Sequence, residues 1–269
     1  MNRPIIKTMV ASLFSLFLAG HLHAEETFDQ GVVAFQHGDY TTAMRLWYPL
    51  AEQGSGSAQN NIGLLFDHGL GVEKNREEAV KWFQMAAESG DAVAQFNVAT
   101  KFLEGPAKPE EQAVAFKYLQ QSAQQGYPES QNNLGTLYDR GIGTVADKLE
   151  AIKWYRKAAD YSDRASYNLG VKYALGQGVN KDISESAKWY QRAADQGNDK
   201  AMVRLSSLYE DGIGVEKDLV QAYYWYSMAA DKGIAEAAKR RDRMALKMSR
   251  EEVVEAKMRV KTMKDRKGK

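Results

Sequence analysis

Apolar residues recur through residues 56–90 in two blocks, each with the period of an α-helix. In the first block Ala58, Ile62, Leu65 and Phe66 fall at i, i+4, i+7 and i+8. In the second, Ala79, Trp82, Phe83, Ala86 and Ala87 fall at i, i+3, i+4, i+7 and i+8. Each pattern makes one apolar stripe on a 3.6-residue period, which predicts a helix that buries one face. Polar and glycine residues separate the blocks, so the unit reads as a helix, a loop and a second helix.

The unit is repeated. A glycine recurs as Gly69, Gly105, Gly141, Gly176 and Gly212, at steps of 36, 36, 35 and 36 residues. An aromatic stands three residues before each: Phe66, Phe102, Tyr138, Tyr173 and Tyr209. A small residue stands six before: Gly63, Ala99, Gly135, Gly170 and Ser206. A large residue heads the second block as Leu46, Trp82, Tyr118, Trp154, Trp189 and Trp225. Small positions let helix axes approach, and a bulky ring from the paired helix can fill the space beside them. A fixed period of this length marks a stack of supersecondary units, each burying its apolar face against the next.

The repetition decides how "DRGIGTVADKLEA", residues 139–151, is read. Its Gly-x-Gly and its acid pair, Asp147 and Glu150, suggest a phosphate loop or a pair of catalytic carboxylates. Yet Asp147 belongs to a column with Asp39, Asn75, Asp182 and Asp218, followed three residues later by Glu78, Glu150, Glu185 and Gln221. That pattern is an N-cap with Glu or Gln at N3, a variant of the capping box. The first glycine suits a left-handed helix end, and the second lets the loop reverse. A phosphate loop would need a preceding strand and a following Lys-Ser or Lys-Thr, and neither is present.

A unit of 36 residues with "NNLGTLYDRGIG", a cap, then "EAIKWYRKAA" resembles the Sel-1-like repeat, a relative of the tetratricopeptide repeat. The resemblance covers about residues 28–233. It implies an all-α fold, a right-handed α-solenoid of antiparallel helix pairs with an extended concave surface. It implies binding and scaffolding of proteins, as adaptor or host-interaction factor, with no shared catalytic residue. Residues 25–54 look like the short first repeat of such proteins, 55–233 like five full repeats, and 234–269 like closing helices with a basic tail. Ser249 and Glu252 form a capping box within that closing segment.

Composition adds a leader and a charge split. Arg3 and Lys7 precede the uncharged run Met9 to Gly20, and Ala24 suits the last residue before cleavage. This is a secretory signal pattern over residues 1–24, too short for a bilayer span. It predicts a mature chain from Glu25, in a periplasm or outside the cell. Net charge is +1, but residues 239–269 carry 13 Lys or Arg against 5 Asp or Glu, while residues 25–238 carry 21 against 30. The basic tail reads either as a contact for an anionic surface or as a solvated helix end. The acidic body and the leader disfavour nucleic acid.

No catalytic, metal or cofactor site is expected. The chain has no cysteine, which sets it apart from cysteine-rich relatives described as binding or hydrolysing β-lactams. Ser-x-x-Lys, Gly-x-Ser-x-Gly and His-Glu-x-x-His are absent. A β-lactam or cell-wall hydrolase stays the lesser alternative. His37 and His68 each lie beside a helix-ending glycine, where the dipole favours them, rather than forming a metal pair. Two departures from the repeat stand out as binding candidates. Asn61, Asn97, Asn133 and Asn168 form a column that Arg204 breaks. The asparagines either clamp a peptide backbone or bond to the backbone of neighbouring repeats; the Arg204 fork suits a carboxylate. Arg204, Asn168 and Asn133 are therefore the candidate partner-binding residues, for a protein or peptide in the cell envelope. The loop Glu104 to Ala113 lacks the second glycine, carries Pro106 and Pro109, and puts Glu111 in the cap column. It reads as a partner-specific edge or as drift.

Overall fold

The computed structural model describes residues 24–267. The predicted leader lies outside the described residues except for Ala24, which is helical. All regular structure among the described residues is α-helix, in two compact units, Met1–Gln125 and Gly126–Lys269.

The first unit holds α1 (24–36), α2 (Tyr40–Glu52), α3 (Gly56–His68), α4 (Arg76–Glu88), α5 (Ala92–Leu103) and α6 (Pro109–Gln124). Here α3 packs on α4 and α5 on α6, with α2 on α3 and α4 on α5 linking the pairs. The second unit holds α7 (Pro128–Arg140), α8 (Lys148–Ala158), α9 (Asp163–Leu175), α10 (Ile183–Asp195), α11 (Asp199–Asp211), α12 (Leu219–Asp231), α13 (Ala235–Ala245) and α14 (Arg250–Lys267). The pairs α7–α8, α9–α10 and α11–α12 follow one another through α8–α9 and α10–α11 contacts, and α13 and α14 both close on α12.

The periodic stripes are the core. Ala58, Ile62 and Leu65 of α3, and Ala79, Phe83 and Ala86 of α4, have no solvent exposure. The ring that meets each small residue is not the column that heads the second helix but the residue after it. A Cβ added at Gly63 would stand 2.6 Å from the Phe83 ring, and one at Gly170 would stand 2.5 Å from Tyr190. That inner column runs Trp47, Phe83, Leu119, Tyr155, Tyr190 and Tyr226, all buried. The Trp154, Trp189 and Trp225 indoles lie one position away, and their buried N–H groups find no acceptor among the described residues. An unmet buried donor costs free energy, so those rings hold their place by apolar area and by contacts to their faces, as Lys157 makes 4.1 Å over Trp154 and Tyr224 makes edge-on to Trp225 at 4.7 Å.

The turns follow the expected chemistry in part. Gly69, Gly141, Gly176 and Gly212 end their helices in the left-handed conformation, with φ of 67–69°. Each cap oxygen takes its backbone N–H: Asn75 from Glu78, Asp147 from Leu149 and Glu150, Asp182 from Glu185, Asp218 from Gln221. The other half of the capping box differs. The cap residue's own N–H is taken by the carbonyl of the recurring aromatic, as in Asp147 to Tyr138 at 2.8 Å and Asp182 to Tyr173 at 2.9 Å. The N3 carboxylates turn instead to lysines one turn on: Glu78 to Lys81, Glu150 to Lys153, Glu185 to Lys188.

The second glycine also does more than reverse the loop. It lies against the start of an earlier second helix: a Cβ at Gly178 (φ 78°) would fall 2.9 Å from the Lys148 carbonyl oxygen, and one at Gly214 2.9 Å from that of Ile183. In the third loop, Glu111 is not the cap. α6 starts earlier, at Pro109, and Glu111 at N3 accepts the Lys108 N–H at 2.8 Å. Proline at the first helical position needs no N–H partner, which moves the start of the helix forward. The box predicted at Ser249 and Glu252 is made in both directions, at 2.7 and 3.1 Å.

Candidate binding surface

The first helices of the pairs carry the asparagine column. Asn97 on α5 donates to Asn60 of α3 at 2.8 Å, and Asn168 on α9 donates to Asn132 of α7 at 3.2 Å. The bonds therefore link neighbouring repeats, but side chain to side chain rather than through backbone. In the second unit the chain of amides continues, because Asn132 donates to Asn133 Oδ1 at 3.3 Å. This leaves Asn133 Nδ2 as a donor and Asn168 Oδ1 as an acceptor, neither with a partner among the described residues. A donor and an acceptor are what one peptide unit requires.

Arg204 sits on α11, exposed. Among the described residues it makes no hydrogen bond or ion pair; its charge acts on the Tyr190 phenol, whose ionisation burial pushes up and Arg204 pulls down in part. One more step of 36 residues lands on Arg240 of α13, a member of the column that stopping at Arg204 overlooks. Arg240 donates to Ser207 Oγ at 3.3 Å and pairs with Glu236 at 3.4 Å. Ser207 in turn meets the Tyr226 hydroxyl at 3.1 Å, which donates to Glu210 at 3.0 Å. A surface cavity of about 260 Å³ lies here, lined by Glu210, Glu236, Arg240, Arg243, Met244 and Lys247. Tyr155 makes the matching contact to Thr136 at 3.2 Å, and burial pushes its phenol up to about 12 despite that bond. A phenol so placed stays protonated at neutral pH and serves as a hydrogen-bonding group, not a base.

Beside the amides lie two charge clusters that the single-repeat columns conceal. In the first unit Lys101 of α5 reaches Asp67 of α3 at 2.7 Å and Glu104 at 2.6 Å. In the second unit Asp139 of α7 accepts from Lys172 of α9 at 2.5 Å and pairs with Lys148 at 2.8 Å. A signal was present: "QNN" with a later Asp marks residues 59–67 and 131–139, whereas an aromatic-Asn pair with a later Lys marks 96–101 and 167–172. The repeats alternate in twos. Burial pushes the Asp139 carboxyl up, but the hydrogen bonds from Lys148 and Lys172 outweigh it and hold the group below the usual carboxylate range. Burial pulls Lys101 down, and the two carboxylates outweigh it and raise the ammonium. His37 Nδ1 bonds the Val33 carbonyl in the turn after α1, and His68 closes α3. Among the described residues no group of three or more His, Cys, Asp or Glu could hold a metal ion.

The model of the Sel1 repeat matches residues 56–91, 92–127, 128–160, 163–198 and 199–234. The chain belongs to the Sel1 repeat family. Its helix-pair stacking is the solenoid of that family. A Sel1 repeat protein from Oxalobacter formigenes has 34% identity and a TM-score of 0.72, over 78% of this chain and 84% of that one. A protective antigen present in uropathogenic Escherichia coli strains, with an SLR fold, has 24% identity and a TM-score of 0.53, over 89% of this chain and 60% of that one. An immunity protein from Pseudomonas aeruginosa has 20% identity and a TM-score of 0.50, over 81% and 83%. No curated protein matches. Sel1 repeat proteins generally act as protein–protein interaction scaffolds and are typically non-enzymatic.

Proposed function

We propose that this Sel1 repeat chain is an exported, non-enzymatic scaffold that holds an extended segment of a partner protein on the first-helix side of its second unit. Residues 1–24 would be its leader, 25–54 a short first repeat, 55–233 the five repeats and 234–269 the closing segment. The observation that carries the reading is the set Asn133, Asn168 and Arg204. It offers an amide donor, an amide acceptor and a guanidinium fork without partners among the described residues. The amides suit a peptide unit of the partner, and the fork suits a carboxylate on it. The leader supports a periplasmic place for this adaptor.

Crosslinking in the intact envelope, followed by mass spectrometry of captured proteins, tests the reading. Arg204→Ala should lose the captured partner by roughly tenfold, the effect of one charge-assisted hydrogen bond. Its melting curve should not move. Unchanged capture would sink the assignment of Arg204, and recovery only in culture supernatant would replace the periplasmic adaptor by a released factor. Turnover of a β-lactam or cell-wall substrate by the purified protein would overturn the non-enzymatic reading.

A further inference from the structure

We propose that this chain associates head to tail with copies of itself, the outer face of α1 in one copy docking on the outer face of α14 in the next. The outer faces of α1 and α14 are exposed, and a polar outer face suffices to keep a helix at the edge of a solenoid stack soluble. Solubility does not require the two ends to carry opposite charge, and here they do. On α1, Glu25, Asp29 and Val33 fall at i, i+4 and i+8, with Glu26 and Gln30 beside them; all five are exposed. The three carboxylates have no ion-pair partner among the described residues.

On α14 the face that meets the core uses Ala256, Val260 and Met263. The opposite side exposes Val254 (54%) and Met258 (64%), flanked by exposed Arg250, Lys257 and Lys261. Of the acids on this helix, Glu255 pairs with Arg259 at 2.8 Å and Glu252 takes the Ser249 N–H, while exposed Glu251, beside Val254 and Met258, and Asp265 have no ion pair among the described residues. Arg250, Lys257 and Lys261 have no partner among the described residues. Three unmatched carboxylates with one exposed valine thus face three unmatched cations and one unmatched carboxylate, Glu251, around an exposed valine and methionine, a net attraction. Both sets lie on single helical faces of similar length. The α14 face is complementary to α1 and not to itself, so the contact is heterologous and can extend from copy to copy. One helix face on each side buries little area, so the contact is weak and depends on salt. The proposal rests on removal of the leader, which frees the start of α1.

Sedimentation velocity on the purified protein tests it, with intact mass confirming a start at Glu25. At low salt, the mean mass should rise with concentration beyond the dimer, and added salt should reverse the rise. A variant with Glu25→Lys and Asp29→Lys should stay monomeric, as should one with Lys257→Glu and Lys261→Glu. Mixed together they should assemble again beyond the dimer, because the native pair of ends and the charge-reversed pair both fit. A chain with its leader removed that stays monomeric at every concentration overturns the proposal. So does an α1 variant that still assembles while the α14 variant does not, which would mean that α14 pairs with itself or with another surface.

Discussion

The two units solve one problem with opposite charge. In the first, a lysine, Lys101, lies between two carboxylates; in the second, a carboxylate, Asp139, lies between two lysines. The positions correspond: Asp67 with Asp139, Lys101 with Lys172. What differs is the third member, Glu104 at the end of α5 against Lys148 at the start of α8. The burial differs as well. Lys172 is the most enclosed charge, with 5% of its side chain exposed, whereas Glu104 is 51% exposed. The comparison teaches that the alternation of repeats fixes a cross-repeat ion pair, while a single neighbouring residue sets the net charge around it. A buried pair favours one alignment of neighbouring repeats, because a slip would strand its members.

The largest expected effect comes from removing the shared acid. Asp139→Ala leaves Lys172 enclosed without a counter-charge and should cost about 3 kcal/mol. Urea denaturation should show it as a loss confined to the second unit. If the transition does not move, the Lys172 ammonium reaches water and the pair is ornamental.

Lys101→Met should cost less, about 2 kcal/mol. It strands Asp67, but Glu104 can turn to solvent. An equal or larger loss than that of Asp139→Ala would invert the comparison.

The pH dependence should split between the units. Asp139 is held below its ordinary range, so its contribution is present above that range and fades as pH falls through the lowered value. Lys101 is raised, so its contribution is complete below the ordinary lysine pKa, about 10.4, and fades as pH rises through the raised value. Asp139→Asn should flatten the acid side of the stability profile and Lys101→Met the alkaline side. Both flattening the same side would break the assignment.

The smallest effect belongs to Arg204→Ala, which touches neither cluster and should shift stability by less than about 0.5 kcal/mol. A larger shift would mean that the arginine holds repeats together rather than awaiting a partner.

Much of this was legible in one dimension. Helix positions, the left-handed glycines and the cap oxygens follow from local chemistry, since each depends on residues within one or two turns. So does the Ser249 and Glu252 box. All but one of the misread details involve a second element; the exception, Glu111, is settled within its own first turn. The Asp147 N–H goes to Tyr138 because the loop folds back on its own helix, leaving Glu150 to Lys153. Gly178 is needed because the Lys148 backbone stands there. Glu111 lost the cap because Pro109 starts the helix ahead of it.

The candidate surface divides the same way. Period and column singled out Asn133, Asn168 and Arg204 and the exceptional residues between them. The pairing of Asn168 with Asn132, of Lys172 with Asp139 and of Arg240 with Ser207 joins residues 33 to 36 positions apart. The sequence alone determined the repeat, its helices and its family, because those are written in spacings no longer than one unit. Only the tertiary structure decided which amides and charges are spent on neighbours and which stay free, because that depends on distances between helices that no spacing along the chain specifies.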